Sequence, residues 1–124
     1  LPIYGDGLQS RDFTHVDNVV QANLSALCAP EGALGEAFNI ACGDRITLND
    51  LYARLAALAE KTAAPLYAPP RSGDVRHSRA DIARAAQVLG YQPRTTLVEG
   101  LRKTTEWFAN RLKSAAQGSI GQTE

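Results

Sequence analysis

Residues 36–43, EAFNIACG, constrain the fold of this chain more than any other stretch. The run is short, mostly apolar and closed by a glycine. It lacks the alternation of a strand with one wet face, so it reads as a strand of a parallel sheet covered on both faces. Such a strand needs a neighbour on each side, and the sequence offers few. LPIY (1–4) reads as a short strand, Gly5-Asp6-Gly7 as a turn, and RDFTHV (11–16) as a second strand. PLYAPP (65–70) is extended, but its prolines suit an edge. The expectation is an α/β chain with few strands, its sheet completed by a domain outside this sequence or by a second copy.

Four helices are predicted between these segments. The first, NVVQANLSALCA, takes Asp17 as N-cap and carries Val20, Leu24 and Leu27 on one face. PEGALG after it is a loop. The second, TLNDLYARLAALAEK, opens on Thr47 with Asp50 three residues on, a capping-box variant. Its apolar stripe runs through Leu48, Leu51, Tyr52, Leu55, Leu58 and Ala59. The third, DIARAAQVLGY, is capped by Asp81, packs through Ile82, Ala85, Ala86 and Leu89, and stops at Gly90. The last, TLVEGLRKTTEWFANRL, has Thr96 and Glu99 as a capping box and Leu97, Leu101, Thr105, Phe108 and Leu112 as its stripe. Trp107 beside that stripe predicts core or interface packing. Residues 113–124, KSAAQGSIGQTE, are polar and rich in small residues, and predict a flexible, frayed tail after a unit spanning 1–112.

Length suits one domain, and 44% hydrophobic with 21% charged residues suits a globular one. A formal net charge of zero excludes a nucleic-acid or anionic-membrane partner held by bulk electrostatics, and no basic–aromatic interleaving suggests otherwise. No apolar run approaches the ~20 residues of a membrane span, and no signal peptide is visible. Cys28 and Cys42 lack metal-ligand spacing and read as buried apolar residues in a reducing, cytoplasmic setting. The chain contains no methionine and opens abruptly on LPIYG, so Leu1 is expected not to be the native start, and the chain to be a piece of something longer.

Catalytic constellations are missing. No glycine-rich dinucleotide loop follows a strand. No Tyr-x-x-x-Lys pair occurs: Tyr4, Tyr52, Tyr67 and Tyr91 are followed four residues on by Leu8, Ala56, Arg71 and Thr95. There is no G-x-S-x-G, His15 and His77 have no zinc-like spacing, and no nucleophile stands beside a base in sequence. His15 reads as a satisfied structural histidine inside the second strand.

Anion binding has better support. RSGDVRHSRAD (71–81) gathers three arginines, a histidine and two aspartates around a glycine turn. Arg71 follows two prolines, and Arg11 follows the Gly5–Gly7 turn; both sit at junctions where side chains can face a cleft. A guanidinium fork donates paired hydrogen bonds to phosphate and keeps its charge. Asp74 could accept from a sugar or ribose diol. The alternative is a set of surface ion pairs, Arg11 with Asp12 or Asp17 and Arg71 with Asp74, worth ~0–1 kcal/mol each. Arg76 and Arg79 look solvated.

YGDGLQSRDFTHVDNVVQANLSAL, AFNIACG, PPRSGDVRHSRADIARAAQVLGYQP and LVEGLRKTTEWF, in that order, resemble the C-terminal substrate-binding part of an extended short-chain dehydrogenase/reductase. The similarity is greatest to nucleotide-sugar 4-epimerases of the NAD-dependent epimerase/dehydratase family, particularly the UDP-N-acetylglucosamine 4-epimerase branch. It implies a parent enzyme with an N-terminal Rossmann domain holding NAD and the Tyr-x-x-x-Lys pair, both absent here. The parent oxidises the sugar at C4, lets the 4-keto sugar rotate, and returns hydride to the other face. The resemblance implies that Arg11 and Arg71 clamp the diphosphate of a UDP-sugar. It places the uridine ribose on Asp74 and the uracil on the backbone around Ile3 and Tyr4. Ser78 would line the sugar pocket, its small side chain leaving room for an N-acetyl group. It implies no catalytic residue and no NAD site on this chain itself, which pairs as a homodimer or with the missing domain. Two rivals stand: a dTDP-sugar 4,6-dehydratase on the same scaffold, and a non-catalytic, self-associating module that has lost the parent activity.

Overall fold

The computed structural model describes residues 2–61 and 63–118. In chain order the elements are β1 (Pro2–Tyr4), β2 (Ser10–Arg11), α1 (Val16–Leu27), a 3₁₀ turn (Glu31–Ala33), β3 (Ile46–Thr47), α2 (Leu48–Leu58), β4 (Leu66–Ala68), α3 (Ala83–Leu89) and α4 (Leu97–Gly118). This is the small α/β arrangement of four helices and few strands that the patterning predicts. The strands form two minimal sheets. β1 runs parallel to β4 with Ile3 opposite Tyr67, and β2 runs antiparallel to β3 with Ser10 opposite Thr47. The Gly5–Gly7 turn swings the chain from one sheet to the other with both glycines at positive φ. Gly7 is required twice over: its φ is 73°, and a Cβ there would lie 1.9 Å from Asn49 Oδ1.

AFNIA does not form a strand. The backbone from 36 to 40 is irregular, because a ladder needs a parallel neighbour and no described residue provides one. Its apolar side chains are still used: Phe38 and Ile40 pack against Ala22, Ala85 and Tyr91. RDFTHV also falls short of a strand. Only Ser10–Arg11 pair, and His15 is the N-cap of α1, its Nδ1 accepting from Asp17 N at 3.2 Å. Asp17, expected in that role, lies in the first turn and pairs instead with Lys103 at 2.8 Å. The caps of α2 and α4 form as predicted: Thr47 Oγ1 accepts from Asp50 N, and Thr96 Oγ1 from Glu99 N. Gly90 ends α3 in the left-handed region at φ 63°. Asp81 precedes the N-cap, Ile82, and accepts from Ala83 N at 2.9 Å.

Burial departs from the helical stripes. Val20, Leu24 and Leu27 of α1 are exposed, while Asn18 and Ala22 are buried. On α4 the stripe is exposed at Phe108 and Leu112, and Trp107 stacks edge-on against Phe108 at 4.8 Å. α4 also continues to Gly118, so residues 113–118 are helical rather than frayed; 119–124 lie outside the described residues. Cys28 is exposed and Cys42 half-buried, and both are free thiols, so neither is the buried apolar residue expected. No helix among the described residues is long and apolar enough to cross a membrane.

Two polar side chains do much of the joining. Asn18 is 1% exposed; its Oδ1 accepts from Arg94 N and Thr95 N, and its Nδ2 donates to the Thr95 carbonyl at 2.8 Å. This ties α1 to the segment leading into α4. Tyr91 is fully buried and donates its hydroxyl to the Ala41 carbonyl at 2.8 Å. Burial raises the Tyr91 pKa, with the Cys42 and Asp12 charges adding to the effect.

Candidate functional site

The parallel register of β1 and β4 sets Tyr4 beside Ala68, so the chain leaving β4 through Pro69 and Pro70 passes over Tyr4. Arg71 to Asp74 then form a tight turn, closed by Asp74 N donating to the Arg71 carbonyl at 3.3 Å, with Gly73 at φ 78°. A positive φ at the third position of such a turn is where glycine is favoured. Beyond the turn the chain runs alongside β2. Ser10 N donates to Arg76 O at 2.9 Å, and Ser78 N donates to Ser10 O at 3.0 Å, a parallel bridge centred on Ser10 and His77. These two pairings bring the end of β1, β2 and the 71–78 segment to one place.

The anion-site candidates meet there. The Arg11 guanidinium pairs with the Asp74 carboxylate, and its other arm donates to the Ser10 carbonyl at 2.8 Å. The Arg71 guanidinium lies 3.8 Å from the centre of the Tyr4 ring. Arg11 and Arg71 therefore have different partners from those the surface-pair alternative named: Arg11 leaves Asp12 and Asp17 for Asp74, and Arg71 sits on an aromatic face. The two arginines line neighbouring clefts rather than one. Arg11 borders a cleft of about 600 Å³ with Ser10, His77 and Arg45. Arg71 borders one of about 300 Å³ with Tyr4, Gln9 and Asp74. Asp74 is the link between them.

Ile3 is buried in β1, and the Tyr4 carbonyl accepts from Gln9 Nε2 at 2.5 Å. Ser78 is exposed, held by its backbone, and lines neither of these clefts. Arg76, expected to be solvated, makes a two-armed pair with Asp6, 2.9 Å on each arm. That hydrogen bond lowers the Asp6 pKa below its ordinary value.

Two relationships were not legible in the sequence. Ser10 Oγ lies 2.9 Å from His77 Nδ1, so a hydroxyl does stand beside an imidazole, 67 positions apart. Ser10 is almost fully buried, and the contact follows from the backbone bridge between the same residues, so it serves the pairing of the two segments. Asp12 accepts from Cys42 N at 3.0 Å and Gly43 N at 2.9 Å, holding the end of AFNIAC against β2. Burial raises the Cys42 thiol pKa, and the Asp12 carboxylate raises it further. The only advance signal for either was the density of polar residues in QSRDF.

Residues 1–41 match the NAD dependent epimerase/dehydratase family. The UDP-glucose 4-epimerase of Mycolicibacterium smegmatis is 41% identical over 109 residues, 88% of this chain and 34% of that protein. This chain matches a fragment of the NAD-dependent epimerase/dehydratase family. Solved structures agree. The UDP-glucose 4-epimerase of Thermotoga maritima, crystallised with UDP-glucose, superposes with a TM-score of 0.84 at 41% identity, covering 90% of this chain and 35% of that one. The UDP-glucuronic acid 4-epimerase of Bacillus cereus, in complex with UDP-glucuronic acid and NAD, gives 0.75 at 32% identity, covering 82% and 32%. The chain thus spans about a third of the length of these epimerases. The Gly5–Gly7 turn joins β1 to β2 and opens no helix, so that turn is not a glycine-rich loop with a helix N-terminus behind it.

Proposed function

We propose that this chain is the nucleotide-sugar-holding part of an NAD-dependent 4-epimerase, and that it grips a UDP-sugar at the Tyr4–Arg71–Asp74–Arg11 junction. The observation that carries this reading is that Asp74 joins the two arginines: its carboxylate pairs with Arg11 and its backbone N–H turns back to Arg71, which lies on the face of Tyr4. Arg11 and Arg71 take the diphosphate, Asp74 the ribose hydroxyls, and the backbone around Ile3 and Tyr4 the uracil. Ser78, which lines neither cleft, would meet the sugar with the rest of the fold in place, its small side chain leaving room for an N-acetyl group. Support comes from the UDP-sugar complexes of similar fold and from the chemistry of guanidinium groups toward phosphate.

NAD, held on parts of the fold outside this sequence, supplies the hydride chemistry. The residues of this chain bind and orient. Anchoring the nucleotide remote from the reacting carbon restricts the sugar to productive geometry, which is how distant binding energy accelerates a reaction. On this reading the protein works in the cytoplasm, as a homodimer or paired with the rest of the fold.

Calorimetric titration of the chain with UDP, UDP-N-acetylglucosamine and dTDP, with Arg71→Ala alongside, tests the reading. Uridine ligands should bind, and Arg71→Ala should weaken them by about tenfold or more, the loss of one charge-assisted phosphate contact. A preference for dTDP turns the assignment toward a 4,6-dehydratase. A folded, self-associating chain that ignores all three ligands overturns it.

A further inference from the structure

Arg11 spends one arm on Asp74 and the other on the Ser10 carbonyl, so a phosphate that takes the paired arms of the guanidinium displaces Asp74 and deprives it of its cation. The pair is accessible, with side chains 28% and 39% exposed, so a ligand reaches it without unfolding the site. Asp74 is also positioned for this role by its own backbone, since the turn bond to Arg71 and the positive φ of Gly73 present it to β2. We propose that Asp74 is a specificity-determining residue: an internal anion that occupies Arg11 and releases it only to ligands that give the carboxylate new donors. This rests on the nucleotide-sugar reading and adds a selection rule to it.

The exchange works out differently for two classes of anion. An inorganic diphosphate must displace a carboxylate tethered within bonding reach of Arg11. It then leaves that carboxylate without its cation, beside the negative charge of the incoming ligand. Both effects oppose binding. A nucleoside diphosphate brings a vicinal diol. Two hydroxyl donors replace the guanidinium at Asp74 as the phosphates take Arg11, so neither charged group is left unpaired. The site therefore rejects free diphosphate, and other anions lacking a diol, by leaving a charge stranded.

The test compares inorganic diphosphate with UDP on the same chain by calorimetry. Asp74→Asn, and Asp74→Ser as a second variant, should raise the affinity for inorganic diphosphate about tenfold while UDP gains nothing, because the competing charge is gone and the diol acceptor is weakened. Glu106→Gln changes the net charge equally, on α4, and should leave diphosphate binding within about twofold. The gain should vanish in Arg11→Ala/Asp74→Asn. Diphosphate affinity unchanged in both Asp74 variants, or UDP and diphosphate rising by one common factor, overturns the proposal. A wild-type chain that ignores UDP while Asp74→Asn captures diphosphate through Arg11 supports the internal-anion role of Asp74 and sinks the nucleotide-sugar reading instead.

Discussion

The Arg71 guanidinium rests 3.8 Å above the centre of the Tyr4 ring, so the residue expected to contact ligand through its backbone also positions an arginine through its side chain. Removing the ring should leave Arg71 free to sample solvent. Tyr4→Leu should weaken UDP binding about threefold to tenfold, the loss of one cation–π contact, and leave uridine binding unchanged. Tyr4→Phe keeps the face of the ring and should bind UDP as the wild type does. Equal losses for UDP and uridine in Tyr4→Leu would assign the ring to the base rather than to Arg71.

Asn18 satisfies three backbone groups from one buried side chain. Asn18→Ala strands them, at about 1–3 kcal/mol each when left unsatisfied. Urea unfolding should show a large drop in midpoint or the loss of the folded baseline. Asn18→Asp keeps the acceptor but sets a carboxylate against the Thr95 carbonyl, and should also destabilise. A midpoint unmoved by either change would mean that the join between α1 and the 94–95 segment is held by something else.

Asp12 acts on Cys42 in two ways, through its bonds to the Cys42 and Gly43 amides and through its charge. In a Cys28→Ser background, which removes the exposed thiol, the pH dependence of Cys42 alkylation reads its pKa. The wild-type midpoint should lie above that of an ordinary cysteine. Asp12→Asn should move it down without restoring the ordinary value, because burial is the larger cause. A midpoint indifferent to Asp12 would leave burial as the whole explanation.

The hydrogen bond from Arg76 lowers the Asp6 pKa below the ordinary aspartate value. A depressed carboxyl pKa stabilises the folded state above the unfolded value, and that contribution fades as pH falls through the folded value. The pair is exposed, so salt should shrink the shift. NMR titration of Asp6 should give a midpoint under the ordinary aspartate value in the wild type and a return toward it in Arg76→Ala.

Local chemistry was readable in advance at several positions where it depends on near neighbours in sequence, although His15 rather than Asp17 caps α1. Thr47 caps α2, Thr96 caps α4, and Gly90 stops α3, because a cap needs only a side chain, an amide two or three positions away, and a permitted φ. Motif order in RDF and RSGD was enough to single out Arg11, Arg71 and Asp74. What those residues touch was not readable. Arg11 meets Asp74 across 63 positions, and Ser10 meets His77 across 67, because parallel pairings of β1 with β4 and of Ser10 with His77 bring remote segments together.

The apolar patterns divide along the same line. Periodicity in NVVQANLSAL determined that α1 is a helix, since backbone geometry follows from local sequence. It did not determine which face is covered: Asn18 and Ala22 are buried and Leu24 and Leu27 are exposed. AFNIA carries the composition of a buried strand and lacks a ladder among the described residues, because a strand exists only in partnership with another. The sequence by itself determined the helices, the Thr47 and Thr96 caps, the Gly90 stop and the inventory of charged groups. Tertiary structure alone decided that Asp74 holds Arg11, that Tyr4 carries Arg71, and that Asn18 is the joint between α1 and α4, because burial and ion pairing depend on which remote surfaces come within bonding distance.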